Sequence, residues 1–517
     1  MLIRGGLASL PILLLVGLMI GARWGAARAG PAGWLAAVGT AWLAFGARLD
    51  VLAVAQAKAF YQSLDVLLIV TAAYLLYRVV DEAGGVEILA RALPRVTTDR
   101  GMQALLIAWA FASFLQGVGG FGVPVVVTAP ILAGLGFTPL VAVVAPSIGH
   151  AWSVTFGSLG SSFQALMATT GLPGEAMAAP AAGLLGILGL GCGAWVAWLA
   201  AGREGLRRLA LPVLAIGAAM SAVQYALAVN GLWNIAGFGG GMAGLAVGLV
   251  IARRRSSPAG PPGGDDVGGR DLALALAGYA ALIIITFALV LVRPVAQALS
   301  PVVLQAEFPA TITGLGYSMP AEAGKAIILL RHAGAALTYS AVLSFFLYAA
   351  AGRFRPGAAA RILGSTGSGV LSSWIGIASM VSMVSIMTQS GMTDALARGL
   401  AAAAGSAFPL MAPWIGALGA FISGSNTSSN LLFGMLQRRT AELLGLTAAW
   451  VLAGQTAGGA IGSVVSPAKV VVGAASVARW GSSPEEGIVL RHLLAPAAFL
   501  VAVSSLFLLL LRLGGWA

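Results

Sequence analysis

The sequence predicts an all-α polytopic membrane protein made of two repeats, each carrying a re-entrant helical hairpin. Three observations carry that expectation. Of 517 residues 59% are hydrophobic and 9% charged, with a mean hydropathy of +0.93, against about 25% charged residues in soluble domains. Apolar runs recur from end to end at the roughly 20-residue length that crosses the hydrocarbon core, about eleven to thirteen of them. Two small polar knots sit inside such runs at matching places in the two halves. Alternation of apolar and polar residues does not repeat at the length of a barrel strand, so helices must satisfy the backbone in lipid.

The elements follow in chain order. Arg4, the apolar run Leu7 to Ile20 and the small residues of "AARAG" imitate a signal peptide. A further apolar run follows closely, so a retained first span is expected. The net charge of +12 is spread between spans, at Arg203, Arg207 and Arg208, at Arg253 to Arg255, and at Arg353, Arg355 and Arg361. Two spans separate each cluster from the next, so all three face the cytoplasm under the positive-inside rule, and no nucleic-acid partner is expected. Cys192 is the single cysteine, which excludes a disulfide within the chain and a cysteine metal cluster. The segment "ARRRSSPAGPPGGDDVGGRD", residues 252–271, is a polar central loop. It divides an N-terminal membrane half, residues 1–251 with a hairpin near 104–136, from a C-terminal half, residues 272–517 with a hairpin near 409–437.

The halves resemble each other. Aligning Phe114 with Phe421 brings Gly117 to Gly424 and, after two extra residues, Gly136 to Gly445, Thr138 to Thr447, Gly149 to Gly458 and Ala151 to Ala460. The shared order is an apolar run, a polar knot, a short apolar run, a Gly-Phe-Thr or Gly-Leu-Thr turn, and a span interrupted by polar residues. Repeats of this kind are the usual plan of secondary transporters.

The first knot is "LQGVGGFGVP", Leu115 to Pro124. Each glycine costs a helix interior roughly 1 kcal/mol and a proline about 3, so the helix breaks there. Broken backbone at membrane depth survives only inside protein or around a wet cavity. The second knot, "GSNTSSN", offers hydroxyls from Ser425, Thr427, Ser428 and Ser429 and amides from Asn426 and Asn430. N-H groups of a half-helix beginning there suit a carboxylate, and carbonyls of a broken helix suit a cation. Two facing tips would form one midplane anion site from Gln116, Gly117, Gly119, Gly120, Gly122 and Ser425 to Asn430. Against this stands close packing of small polar residues between helices.

His150, Trp152, Ser153, Thr155 and Ser158 follow the first hairpin, and Gln455, Thr456, Ser463, Ser466 and Pro467 follow the second. They are candidates to complete the site. Among them His150, Thr155, Gln455, Thr456 and Ser466 are candidates for supporting or coupling roles; His150 is the ionisable one, although a lone histidine in a helix bundle is more often a hydrogen-bonded structural residue. In "AEAGKAIILLRHAG" Glu322 and Lys325 fall three apart on one helical face and can neutralise each other at a membrane edge, while Arg331 has no assigned role. "GFGGG" at Gly237 to Gly241 lacks the features of a phosphate loop, and neither His-Glu-x-x-His nor Gly-x-Ser-x-Gly occurs, so the chain is not expected to be an enzyme or to need a cofactor.

At the stretches "LASLPILLLVGLM", "FLQGVGGFGVPVVVTAPILAGLGFTPL", "VTFGSLG", "GALGAFISGSNTSSNLLFGMLQ" and "GQTAGGAIGSVVSPAKVVVGAASV" the chain resembles the L-lactate permease family. These are bacterial inner-membrane symporters for L-lactate and related 2-hydroxy acids such as glycolate. The resemblance implies inverted repeats, alternating access and a small 2-hydroxymonocarboxylate as substrate. The chain departs from the family where it has Gln116 in place of a glutamate, Asn426 in place of an aspartate and His150 in place of an asparagine. Both tips thus lack a carboxylate, which removes the groups that would carry a proton there. The triplet Ser425-Asn426-Thr427 also resembles the signature of sodium-coupled dicarboxylate carriers, implying a sodium site at Asn426 and Thr427. Proton or sodium coupling, uniport, and another anion such as a dicarboxylate or sulfonate stay open. The partners expected are the anion and the lipid bilayer; a homodimer is compatible with the sequence.

Overall fold

Apolar runs close their backbone hydrogen bonds internally, and in this computed structural model they do so as helices. The structure describes residues 2–22, 24–92, 96–120, 122–255, 268–324, 326–477 and 484–515. Most of the central loop, and Lys325, lie outside the described residues. Among the described residues nine helices are long and apolar enough to cross a membrane, or eleven when each of two bent pairs forms one span.

Helices α1 (Leu2–Ile20), α2 (Ala26–Phe45) and α3 (Leu49–Glu82) open the bundle, followed by the short α4 (Gly85–Ala92). The N-terminal segment is part of the packing: Ala8 and Leu15 are fully buried in one apolar cluster with Met380 and Met383. Next come α5 (Arg100–Ala104), a π-helical stretch (Leu105–Phe111) and α6 (Ala112–Val118), which form one continuous 19-residue arm. This arm is longer than the sequence reading allowed. The chain then reverses and returns as α7 (Val123–Gly134). Gly120 (φ 61°) and Gly122 (φ 84°) adopt left-handed conformations open to glycine, and Pro124 fits the first turn of the returning helix. Arg100 donates to the Gly136 carbonyl at 2.6 Å and its guanidinium lies over the Phe137 ring, so the two arms start and finish at the same end.

A broken span follows, α8 (Pro139–Gly149) and α9 (Gly157–Thr170), bent by 49°. Helix α10 (Gly174–Val229) turns at Gly202 (φ 66°, ψ −162°) and so comprises two consecutive segments, with Cys192 buried in the first. Helices α11 (Trp233–Arg255) and α12 (Gly269–Leu291) flank the central loop. Arg255 donates to the Arg208 carbonyl at 3.3 Å, and Arg208 pairs with Asp99 at 3.1 Å beside the start of α5. The first two basic clusters and the mouth of the first hairpin therefore share one face.

After α13 (Arg293–Ala298) the chain makes a β excursion. Strands β1 (Val303–Leu304), β2 (Glu307–Phe308) and β3 (Thr311–Ile312) pair antiparallel with β6 (Ile327–Ile328), β5 (Glu322–Ala323) and β4 (Ser318–Met319), nested as one long hairpin. This corrects the helical-face reading at Glu322, while its expected partner Lys325 lies outside the described residues. Pro309, Pro320 and Gly324 interrupt any helical period there, and Glu322 pairs instead with Lys58 of α3.

Helices α14 (Ala333–Ala350), α15 (Ala358–Gln389) and α16 (Met392–Ala404) lead to the second hairpin, α17 (Phe408–Ser423) and α18 (Asn426–Leu443). Its mouth closes where Phe408 clusters with Ala441 and Leu446. Arg438 near this mouth donates to the Thr170 carbonyl. Thr170 ends the broken span whose other end lies by Gly136, so the two mouths lie at opposite ends of that span. A second broken span, α19 (Ala448–Val464) and α20 (Pro467–Ser476), is bent by 42°, and α21 (Glu486–Leu513) completes the bundle.

Candidate functional site

The repeat register holds beyond the hairpins. Gly136 (φ 84°) and Gly445 (φ 65°) each end a returning arm, and the next residue bonds back to the last turn: Phe137 N-H to the Leu132 carbonyl and Leu446 N-H to the Ala441 carbonyl. Gly149 and Gly458 also match, because a Cβ at either would collide with a hairpin carbonyl, of Ala108 and of Pro413 respectively. That contact pairs Ala108 with Pro413 and shifts the tips. Phe114 then corresponds to Gly419, and Gly424 to Gly119, one residue before the left-handed Gly120. Gly117 sits inside α6, where its Cα packs on the backbone of Phe238.

Both tips meet the break in the first broken span. Around it Ser158 (φ 47°), Leu159 (φ 55°) and Gly160 (φ 82°) run left-handed, a conformation that costs residues with a Cβ roughly 1–2 kcal/mol each. Surrounding contacts hold it. Gly120 abuts the Ser158 hydroxyl so closely that a Cβ would not fit, and Gly157 leaves room for the Gln116 side chain. Gln116 is buried, with Oε1 unpartnered among the described residues.

The second tip reaches the same break with side chains. Ser425 caps α18 by accepting from the Ser428 N-H at 3.3 Å. Asn426 donates from Nδ2 to the Thr155 hydroxyl at 3.2 Å and to the Thr456 hydroxyl at 3.3 Å. The Thr155 hydroxyl donates to the Thr456 carbonyl at 3.2 Å. Asn430 donates to the Thr456 hydroxyl at 2.9 Å and the Ser162 carbonyl at 3.0 Å, while Ser162 and Thr427 hydroxyls meet at 2.9 Å. Gly459 makes space for Asn426, whose Oδ1 would meet any Cβ there. Asn426 Oδ1 and Asn430 Oδ1 are buried and accept nothing among the described residues.

The network thus joins the second tip to the first break and to α19, with hydroxyls and amides and no charge. It brings the start of the regular part of α9, after Gly160, and the first turn of α18 together, and their N-terminal dipoles favour an anion.

Other sequence candidates fall elsewhere. Ser429 donates to the Gly416 carbonyl at 2.7 Å and accepts from Gln455 at 3.0 Å, and Gln455 also accepts from Gln437, so these residues tie the second hairpin to α19. Ser428 is buried on the first turn of α18. Ser466 lies against Gly424 and donates to the Ser463 carbonyl at 3.0 Å. His150 ends α8 with Nδ1-H donating to the Pro146 carbonyl at 2.6 Å; its Nε2 is buried without a partner among the described residues. Gly119 and Gly122 shape the first tip, near Tyr77 and Val472.

Sequence reasoning missed Gly157, Ser162, Gly459 and Lys469. The first two lie in "GSLGSS", a small polar run of the same kind as the knots. Lys469, in the first turn of α20, donates to the Ser463 hydroxyl at 3.3 Å, placing a cation beside the second break. No group of three or more His, Cys, Asp or Glu residues able to hold a metal occurs among the described residues.

The chain is similar to known permeases over most of its length. The L-lactate permease of Bacillus subtilis is 28% identical over 491 residues, 86% of this chain and 84% of the relative. The glycolate permease GlcA of Escherichia coli is 26% identical over 450 residues, 81% of this chain and 80% of the relative. The crystal structure of the Alcanivorax borkumensis YdaH transporter is 15% identical with a TM-score of 0.47, covering 87% of this chain and 85% of that one. The profile of the L-lactate permease family matches residues 6–513. A multi-pass transporter of the bacterial inner membrane, the chain belongs to the L-lactate permease family.

Proposed function

We propose that the protein carries a small 2-hydroxymonocarboxylate of the L-lactate and glycolate kind by alternating access, binding it where the second hairpin tip meets the first break. The carrying observation is the network of Asn426, Asn430, Thr155 and Thr456. Uncharged donors at two helix N-termini suit an anion, whereas a buried carboxylate would repel it. Inverted repeats are part of this reading, supported by the opposed mouths at Gly136 and Phe408. A carrier function without catalysis fits the tips, which hold amides and hydroxyls in place of acid and base.

Sodium as the coupling ion, at Asn426 and Thr427, is a second reading, favoured by Asn426 Oδ1 and Asn430 Oδ1, buried oxygen acceptors unpartnered among the described residues. Proton coupling would pass through His150, whose Nε2 is buried without a partner among the described residues. A dicarboxylate or sulfonate as substrate and a homodimeric assembly are the remaining alternatives.

Uptake of labelled L-lactate and glycolate into proteoliposomes tests the reading, with sodium and proton gradients imposed separately. Accumulation of either anion supports it. Failure of both, and of a wider carboxylate panel, ends it.

A further inference from the structure

The residues of the polar network, Asn426, Asn430, Thr155 and Thr456, do not line the cavity on the side of the β excursion. This cavity of about 810 Å³ lies between α3, α9, the start of α10, α11, α12, α14, α18 and the strands. It is on the face away from the Arg208 and Arg255 cluster, since Thr170 and Gly171 at the far end of α9 line it. Among the described residues its charged lining is Lys58, Glu175, Glu322, Arg331 and Arg438, three cations against two carboxylates.

These cations are not equally committed. Lys58 pairs with Glu322, and Arg438 donates from Nε to Glu442 at 2.8 Å. Arg331 donates to the Ser300 hydroxyl at 3.1 Å, and its Nε is buried without a partner among the described residues. A guanidinium carries five N-H donors, so Arg331 keeps several for an anion. Gln164 on the wall is only 4% exposed, and its Oε1 has no partner among the described residues. Buried polar groups in native proteins are nearly always satisfied, so such an amide in a cavity wall marks a place where a ligand or water supplies the missing donor. Gln164 also stands two residues from Ser162, whose hydroxyl meets Thr427 of the second tip.

We infer that this cavity is an outer capture site for the transported anion, in which Arg331 takes the carboxylate and the Gln164 carboxamide takes the 2-hydroxyl before the anion passes to the second tip. The inference rests on the proposed transport of a 2-hydroxymonocarboxylate. The space is wide for a three-carbon acid, since pockets of about 300–1,000 Å³ hold drug-sized ligands. Capture is therefore weak and acts on KM more than on kcat.

The test uses the full chain in proteoliposomes, with labelled L-lactate uptake competed by unlabelled L-lactate or by propionate, which lacks the hydroxyl. A site built to bond a hydroxyl rejects the analogue without it. Wild-type protein is expected to favour lactate over propionate by about tenfold or more. Gln164→Leu should bring that preference to within about twofold with kcat kept, and Gln164→Met, of similar length, serves if the branched side chain does not fold. Arg331→Gln should raise KM about tenfold with little change in kcat, and Arg331→Lys should recover part of it. Variants that keep the wild-type lactate preference and KM overturn the capture site and leave the transport reading standing. Wild-type uptake that does not distinguish propionate overturns the role of Gln164. Absence of any wild-type carboxylate uptake overturns the transport reading itself.

Discussion

At the first hairpin the chain reverses through Gly119 to Gly122, whereas at the second it reverses through Gly424 and Ser425. Among the described residues from Gly119 to Gly122 the turn of the first tip offers only backbone: the Val123 N-H is taken by the Gly120 carbonyl at 3.0 Å, and Pro124 has none to give. Without a Cβ, Gly120 comes hard against Ser158 and helps hold the left-handed break in place. The second tip brings side chains, with Asn426, Thr427 and Asn430 reaching residues of the other half. Two similar hairpins thus divide the work, one shaping the break by close approach and the other supplying polar groups to it. The expectation of two equivalent facing tips is replaced by two unequal tips on a shared break.

The largest effect expected is at the backbone tip. Gly120→Val adds bulk where not even a Cβ fits and forces a left-handed φ on a β-branched residue. Folded, monodisperse protein should be lost on size-exclusion chromatography, and normal recovery would show that the first tip yields easily. Next is Asn426→Ala, which removes two hydrogen bonds of about 1 kcal/mol each and should lower kcat/KM for lactate roughly 10- to 30-fold. Expression should be unchanged, because Thr155 and Thr456 stay bonded to each other. Equal loss from Gln116→Ala would erase the division between the tips.

Asn426→Asp sharpens the comparison differently. A carboxylate between Thr155 and Thr456 should make uptake depend on a proton or sodium gradient more strongly than in the parent, and an unaltered ion profile argues against coupling at this position. The smallest effect is at the cap: Ser425→Ala should cost about 1 kcal/mol. In thermal unfolding in detergent that is a shift on the order of 1 °C. A drop comparable to that of Gly120→Val would mean that the second tip also serves mainly to shape the fold.

Much of this was legible in residue chemistry. Glycine at 120 and 122, followed by Pro124, makes a helix break whatever surrounds it, and the hydroxyls and amides of the second knot stand out in apolar sequence. The matching of Gly149 with Gly458 was visible because both helices need the same missing Cβ. The register of the tips was not, since Phe114 and Phe421 align in letters while the carbonyls they follow align two residues away. The β excursion was hidden because two-residue strands leave too short a pattern to read, and Lys58, the partner of Glu322, lies 264 residues before it.

By itself the sequence determined that the chain is helical, lies in the membrane, repeats, and breaks its helices at two knots. Each of these depends on local terms: residue hydropathy, the conformations open to glycine and proline, and the need to close backbone hydrogen bonds in lipid. Only the tertiary structure decided which break the second tip meets, and that Asn426 lies between Thr155 and Thr456. Asn426 and Thr155 are 271 residues apart. Contacts of that kind arise from the packing of whole helices against one another, which no local period in the chain records.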